Sequence, residues 1–133
     1  MRKMKFRVWS KQNNVMLDDN FYLSLRGDLF QNDDLDYKSK DNFAIMQYIG
    51  SKDKNDREIY EGDLISFTND TRLKGGGYTR KKYVALINYE EKYCSYRANY
   101  IDVTGERQNL TLDWLNVKEV EVIGNIYENS ELL

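Results

Sequence analysis

Residues 46–68 limit the fold more than any other stretch of this chain. An apolar run, Ile45-Met46-Gln47-Tyr48-Ile49, stops at Gly50. All but Asn55 of the seven residues after Ser51 are charged, and Ile59-Tyr60 then opens a second apolar stretch. β-Branched and aromatic side chains suit a half-buried pleat, whereas Gly, Asn and Asp suit turns, so the pattern predicts strand, polar turn, short strand. Glu61-Gly62-Asp63 comes next and leads into Leu64-Ile65-Ser66-Phe67. A glycine between two acids just ahead of a strand predicts a corner with positive φ or a bulge, where a Cβ would be in the way. The natural partner of this element is EVEVIGNIY, residues 119–127.

The rest of the chain repeats the theme of short strands and polar turns. Met4-Lys5-Phe6-Arg7-Val8 alternates apolar and basic, which predicts a strand with Met4, Phe6 and Val8 on one face and Trp9 on the opposite, basic face unless a bulge turns it inward. Lys11 to Asn14 reads as a turn and Val15-Met16-Leu17 as the return strand. Phe21 to Leu25 is a further strand, with Arg26-Gly27-Asp28 as its turn and Leu29-Phe30 beyond. Residues 31–42, QNDDLDYKSKDN, are polar and aperiodic; they read as a loop and a boundary between an N-terminal β-rich segment, 1–42, and a domain, 43–133. Residues 69–79, NDTRLKGGGYT, read as a mobile loop tip, and they lack the Gly-Lys-Ser/Thr ending of a phosphate loop. Lys82–Tyr89 and Tyr93–Ile101 form a predicted hairpin, and Asp102–Asn109 a turn centred on Gly105. Leu110–Leu115 fits either a strand or one helical turn, while Val117–Ile123 alternates up to Gly124. With no amphipathic helix of several turns, the fold is expected to be mainly β.

Composition removes several chemistries. The chain of 133 residues has no His and one Cys, so Cys/His zinc sites, Ser–His–Asp triads and Cys–His dyads cannot be built within it. Cys94, in Tyr93-Cys94-Ser95-Tyr96, is expected to be a packed strand residue, and no disulfide can form within the chain. No run approaches the ~20 apolar residues of a membrane span and no signal-like h-region is present, so a soluble protein inside the cell is expected, without a membrane partner. Net charge is only −2, but it is segregated: residues 1–11 and 72–82 each carry five basic and no acidic residues, and 113–133 carries five acids against one Lys.

The residues at both ends and in the centre resemble the YopX family of phage and prophage proteins. The resemblance is carried by Met4-Lys5-Phe6-Arg7-Val8-Trp9, by Met46-Gln47-Tyr48-Ile49-Gly50 with Lys52 to Asn55, and by Glu58 to Ile65. It closes with Val122-Ile123-Gly124-Asn125-Ile126-Tyr127-Glu128-Asn129 and Glu131-Leu132-Leu133. The chain departs at Asp56, where the family usually has the glycine of an Asn-Gly turn, and at Ser130, where a proline is usual. The resemblance implies a small β barrel of the SH3 type behind an N-terminal β-rich extension. It also implies a bacterial cytoplasmic setting, and it brings no catalytic residues and no cofactor. Its structural signature in this chain is Gly50, Tyr60, Glu61, Gly62, Asp63, Gly124, Asn125 and Tyr127.

Three functional readings follow. Glu58, Glu61 and Asp63 surround the central corner, and paired carboxylates can do acid–base work or hold a cation; solvated corner acids explain them more simply, so no enzyme is expected. Arg72, Lys74, Arg80, Lys81 and Lys82, interleaved with Tyr78 and Tyr83, and Arg2, Lys3, Lys5 and Arg7 with Trp9, suggest a nucleic-acid contact, opposed by the acidic pI near 5.3 and the short length of each cluster. The preferred reading is an accessory protein that acts by binding a protein partner or its own copies, since Tyr and Trp anchor interfaces and edge strands pair readily.

Overall fold

The computed structural model describes residues 2–17, 19–31, 36–38, 41–111 and 117–133, and their regular structure is almost entirely strand. Two compact units divide between Tyr48 and Ile49, inside a ten-residue strand, whereas the sequence reading drew its line at 42/43.

In the first unit, Met1–Tyr48, β1 (Phe6–Ser10) pairs antiparallel with β2 (Val15–Leu17) and with the first half of β6 (Phe43–Lys52). A meander of three short strands, β3 (Phe21–Leu23), β4 (Leu29–Gln31) and β5 (Asp36–Lys38), follows β2 in sequence. The expected loop at 31–42 thus contains a strand, because a three-residue edge strand needs backbone partners and no apolar periodicity. Trp9 is buried together with Val8 and Ser10 and does not lie on an exposed basic face. Three consecutive buried residues mean that both faces of β1 are covered at its end, so alternation does not report exposure there.

In the second unit, Ile49–Leu133, the end of β6 turns into β7 (Glu58–Tyr60), and Glu61-Gly62 leads into β8 (Asp63–Arg72). β9 (Tyr78–Glu90), β10 (Ser95–Ile101) and β11 (Arg107–Thr111) continue as an antiparallel meander, and β12 (Val117–Asn125) returns to pair with β8. The five-stranded order is β11-β10-β9-β8-β12. The predicted partnership of the central and C-terminal stretches is therefore direct strand pairing. Register shifts in β12 lie on either side of Glu121-Val122, with Glu119 at φ of 55° in the first, while Val120 and Val122, two residues apart, face one core. That core joins Ile59, Ile65, Phe67, Ala85, Ile87 and Ala98, with Ile123 only half-buried. Phe67, Tyr83 and Tyr100 meet as a ring triad with centroids 5.0–5.6 Å apart.

Two expectations fail here. Residues 69–79 are no open loop: β8 and β9 stay paired to Arg72↔Tyr78, leaving only 73–77 as the turn. Cys94 is exposed, follows a single 3-10 turn (Glu91–Tyr93) and has φ of 49°, because the β9–β10 connection needs a left-handed residue at that point. Leu112, Trp114 and Leu115, expected in a strand or helical turn, lie outside the described residues.

The hairpin turns share one design. In Ser24–Asp28, Asp53–Arg57 and Asp102–Glu106 the first residue's N–H donates to the carbonyl of the last, at 2.8–2.9 Å. The fourth residue's N–H donates back to the first carbonyl, and the first side chain accepts from the N–H groups two and four residues on. The fourth residue is left-handed in each: Gly27, Asp56 and Gly105. Leu73–Gly77 repeats the two backbone bonds without a side-chain cap, and Gly75, Gly76 and Gly77 all have positive φ.

Candidate binding surfaces

Residues 60–63 and 124–129 meet at a corner of the second unit. Gly62 has φ of 84°, as the sequence predicts, and its N–H donates to the Ile87 carbonyl while its own carbonyl accepts from Ile126. Asp63, almost fully buried, accepts from the Tyr60 N–H at 2.8 Å and pairs in register with Asn125. The Asn125 side chain accepts from the N–H groups of Tyr127 and Glu128, and its backbone exchanges bonds with Asn129. Gly124 is required for a different reason from Gly62: a Cβ there would fall 2.9 Å from Asn129 Cβ and closer still to Cγ. Gly50 also has positive φ, with open space where a Cβ would stand.

The three corner carboxylates do not converge. Asp63 is spent on the Tyr60 N–H. Partial burial raises the Glu61 carboxyl, against a hydrogen bond from the Tyr89 N–H that lowers it. Burial, together with the charge of Glu61, raises the neighbouring Tyr127 phenol. Among the described residues no group of three or more His, Cys, Asp or Glu side chains is placed to hold a metal ion.

Asp53 is the acid that the sequence reading passed over. It is 8% exposed; Oδ1 accepts from Asn55 and Arg57 within its own turn, and Oδ2 accepts from the buried Val122 N–H at 2.9 Å. Burial alone would raise this carboxyl, but the three N–H groups and the Arg57 charge outweigh it and hold it below the ordinary value. The signal available in sequence was an Asp opening a polar turn, DKNDR, the same form as DVTGE at Asp102. There the Thr104 hydroxyl and the Gln108 amide, with two turn N–H groups, hold the carboxyl at about 2.

Two surfaces remain. The five-stranded sheet turns Ile65, Ile87 and Ala98 to the core and presents the alternate row, Leu64, Leu86, Asn99 and Asn109, on its other face. A cleft of about 570 Å³ opens on that face, floored by half-buried Val84 and Leu86. Asn88, Asn99, Ile101, Gln108 and the C-terminal Leu132 and Leu133 also line it, with Glu90 and Arg107 at its margins. Its amides are cross-linked: Asn99 donates to Asn88, Asn88 to Glu90, and Arg97 Nε to Asn109 at 2.9 Å.

The second surface is the distal end of the β8–β9 hairpin, where the structure places all five basic candidates. Arg72, Lys74, Arg80, Lys81 and Lys82 are exposed, but they are not equivalent. Arg80 is held by Asp70, Nε to Oδ1 at 2.9 Å, and that bond, with the Asp70 charge and then that of Glu119, raises its pKa. Lys81 stands opposite Asn69 and Lys82 opposite Thr68, so they project from opposite faces of the ribbon.

Comparisons with known proteins give the setting. A family model described as YopX protein matches residues 5–133. The fold is similar to the crystal structure of protein EF1440 from Enterococcus faecalis, with a TM-score of 0.54 and 24% identity, over 100% of this chain and 99% of that one. No curated protein matches the chain. Among the described residues no helix is long and apolar enough to cross a membrane.

Proposed function

Because the chain belongs to the YopX family of phage and prophage proteins, we propose that it is an accessory protein of the bacterial cytoplasm that acts by binding a protein segment, from a partner or from a second copy, and not by catalysis. On this reading the second unit is a small SH3-type barrel. A three-strand meander after the first strand, with the last strand returning to pair with that first one, supports it.

The cleft on the sheet's non-core face carries the proposal. Its volume lies in the range of ligand sites, and its floor of Val84 and Leu86 suits an apolar side chain. Asn88, Asn99 and Gln108 offer both donors and acceptors, the complement of peptide groups in an extended segment. Chemistry would instead need a nucleophile or base poised there, and the acid at the margin, Glu90, already accepts from Asn88.

The test is capture with a tagged protein from infected cells, beside the Ile101→Glu/Arg107→Glu variant, both residues being exposed at the cleft. Sedimentation velocity over a hundredfold concentration range covers self-assembly. Species retained by the wild type and lost by the variant, or a dimer lost by the variant, support the reading. A monomer that retains nothing above background, or retains the same proteins in both forms, sinks it.

A further inference from the structure

From a different surface, we propose that the distal β8–β9 hairpin is a DNA-binding arm that enters the major groove of a B-form duplex. Past Asn69 on β8, where the pairing with β12 ends, and past Leu86 on β9, where that with β10 ends, the described strands pair only with each other. Among the described residues the pairs Asp70↔Arg80, Thr71↔Thr79 and Arg72↔Tyr78 thus form a two-stranded ribbon closed by Leu73–Gly77. Such a ribbon has the cross-section that a major groove about 12 Å wide admits.

Charge complements that shape. Residues 70–82 hold five basic side chains and one acid, and the acid is paired with Arg80. Arg72, Lys74, Lys81 and Lys82 are exposed and form no ion pair among the described residues. Register puts Arg72 and Lys82 on one face, Lys81 on the other and Lys74 at the tip, so cations meet phosphates on both walls of a groove. At the tip Tyr78 is 71% and Leu73 48% exposed, apolar groups able to contact thymine methyls. The backbone is ordered before binding, since the ribbon is hydrogen-bonded up to Arg72↔Tyr78, so docking costs less entropy than folding a loop onto its target.

The probe is a fluorescently labelled 20-base-pair mixed-sequence DNA duplex, followed by anisotropy from 50 to 300 mM salt with the full chain. Expected is a Kd near 10⁻⁵ M at low salt and a log–log salt slope of roughly −3.6, from about −0.9 for each of four phosphates neutralised. Lys81→Glu/Lys82→Glu should weaken binding at least tenfold and flatten the slope, with an unchanged far-UV circular dichroism melt as the control for folding. Leu73→Ala/Tyr78→Ala should weaken binding while leaving the slope as it was. No binding at 100 μM protein and 50 mM salt overturns the proposal, as does a Lys81→Glu/Lys82→Glu variant within twofold of the wild type. Equal affinity for an RNA duplex, whose major groove is too deep and narrow, refutes the groove assignment. Equal affinity for poly-L-glutamate would mark the arm as a docking site for acidic protein and overturn the proposal as well.

Discussion

Replacing Asp53 by Ala removes one carboxylate and strands three N–H groups. The Val122 N–H lies where water does not reach, and an unpaired buried donor costs about 1–3 kcal/mol. The Asn55 and Arg57 donors are only partly buried and regain water, so each loss counts for roughly 0.5–1 kcal/mol. The expected total is about 2–5 kcal/mol, a large share of the ~5–15 kcal/mol that holds a typical domain. Asp53→Asn should cost nearly as much, since its NH2 group faces an N–H where an oxygen is needed. The assay is urea unfolding followed by circular dichroism, read as a fall in midpoint at constant m. The pH dependence supplies a second check. Because the folded carboxyl lies below its unfolded value of about 3.9, its stabilisation is complete above that value. It is lost as pH falls through the folded pKa, so the gap between wild type and Asp53→Ala should be constant from pH 7 to 5 and narrow below pH 4. A difference under ~0.5 kcal/mol at pH 7 would refute the reasoning, as would a gap that stays constant through pH 3 down to acid unfolding.

Two of the signature glycines and the unusual turn give further tests. Gly124→Ala should drive out the Asn129 side chain and cost about 1–3 kcal/mol, lowering Tm by several degrees; an unchanged melt would show that Asn129 does not sit over Gly124. Gly62→Ala should cost about 1 kcal/mol or more in urea unfolding, because φ of 84° strains any residue with a Cβ; no loss would mean that the corner relaxes. Asp56→Gly has the opposite sign, stabilising by up to about 1 kcal/mol. It relieves a left-handed non-glycine residue and gives up only an exposed ion pair to Lys52. A lower urea midpoint would show that the ion pair outweighs the strain.

Much of the backbone was legible in the chain because turns and strands are written locally. Gly62 between two acids specified a positive φ or a bulge, the alternation of Val117–Ile123 specified a strand, and the partnership expected between the central stretch and 119–127 is realised as pairing of 63–72 with 117–125. The glycine deficit at Asp56 was also visible, and the twin turn at Asp102, with Gly105 in the equivalent place, shows what geometry it must still reach. Tertiary structure decided what each residue meets. Trp9 follows Val8 in β1 and both are buried, so both faces of the strand are covered there, which alternation along the sequence does not report. The polar segments 69–72 and 78–82 carry no strand signal of their own; they pair because the register fixed by Ile65, Phe67 and Ala85 in the core propagates outward along both strands. Asp53 reaches Val122 across 69 residues of sequence, a bond that no local pattern encodes. Local sequence restricts φ and ψ residue by residue, whereas burial and long-range partners depend on which strands lie side by side, and only the folded chain settles that.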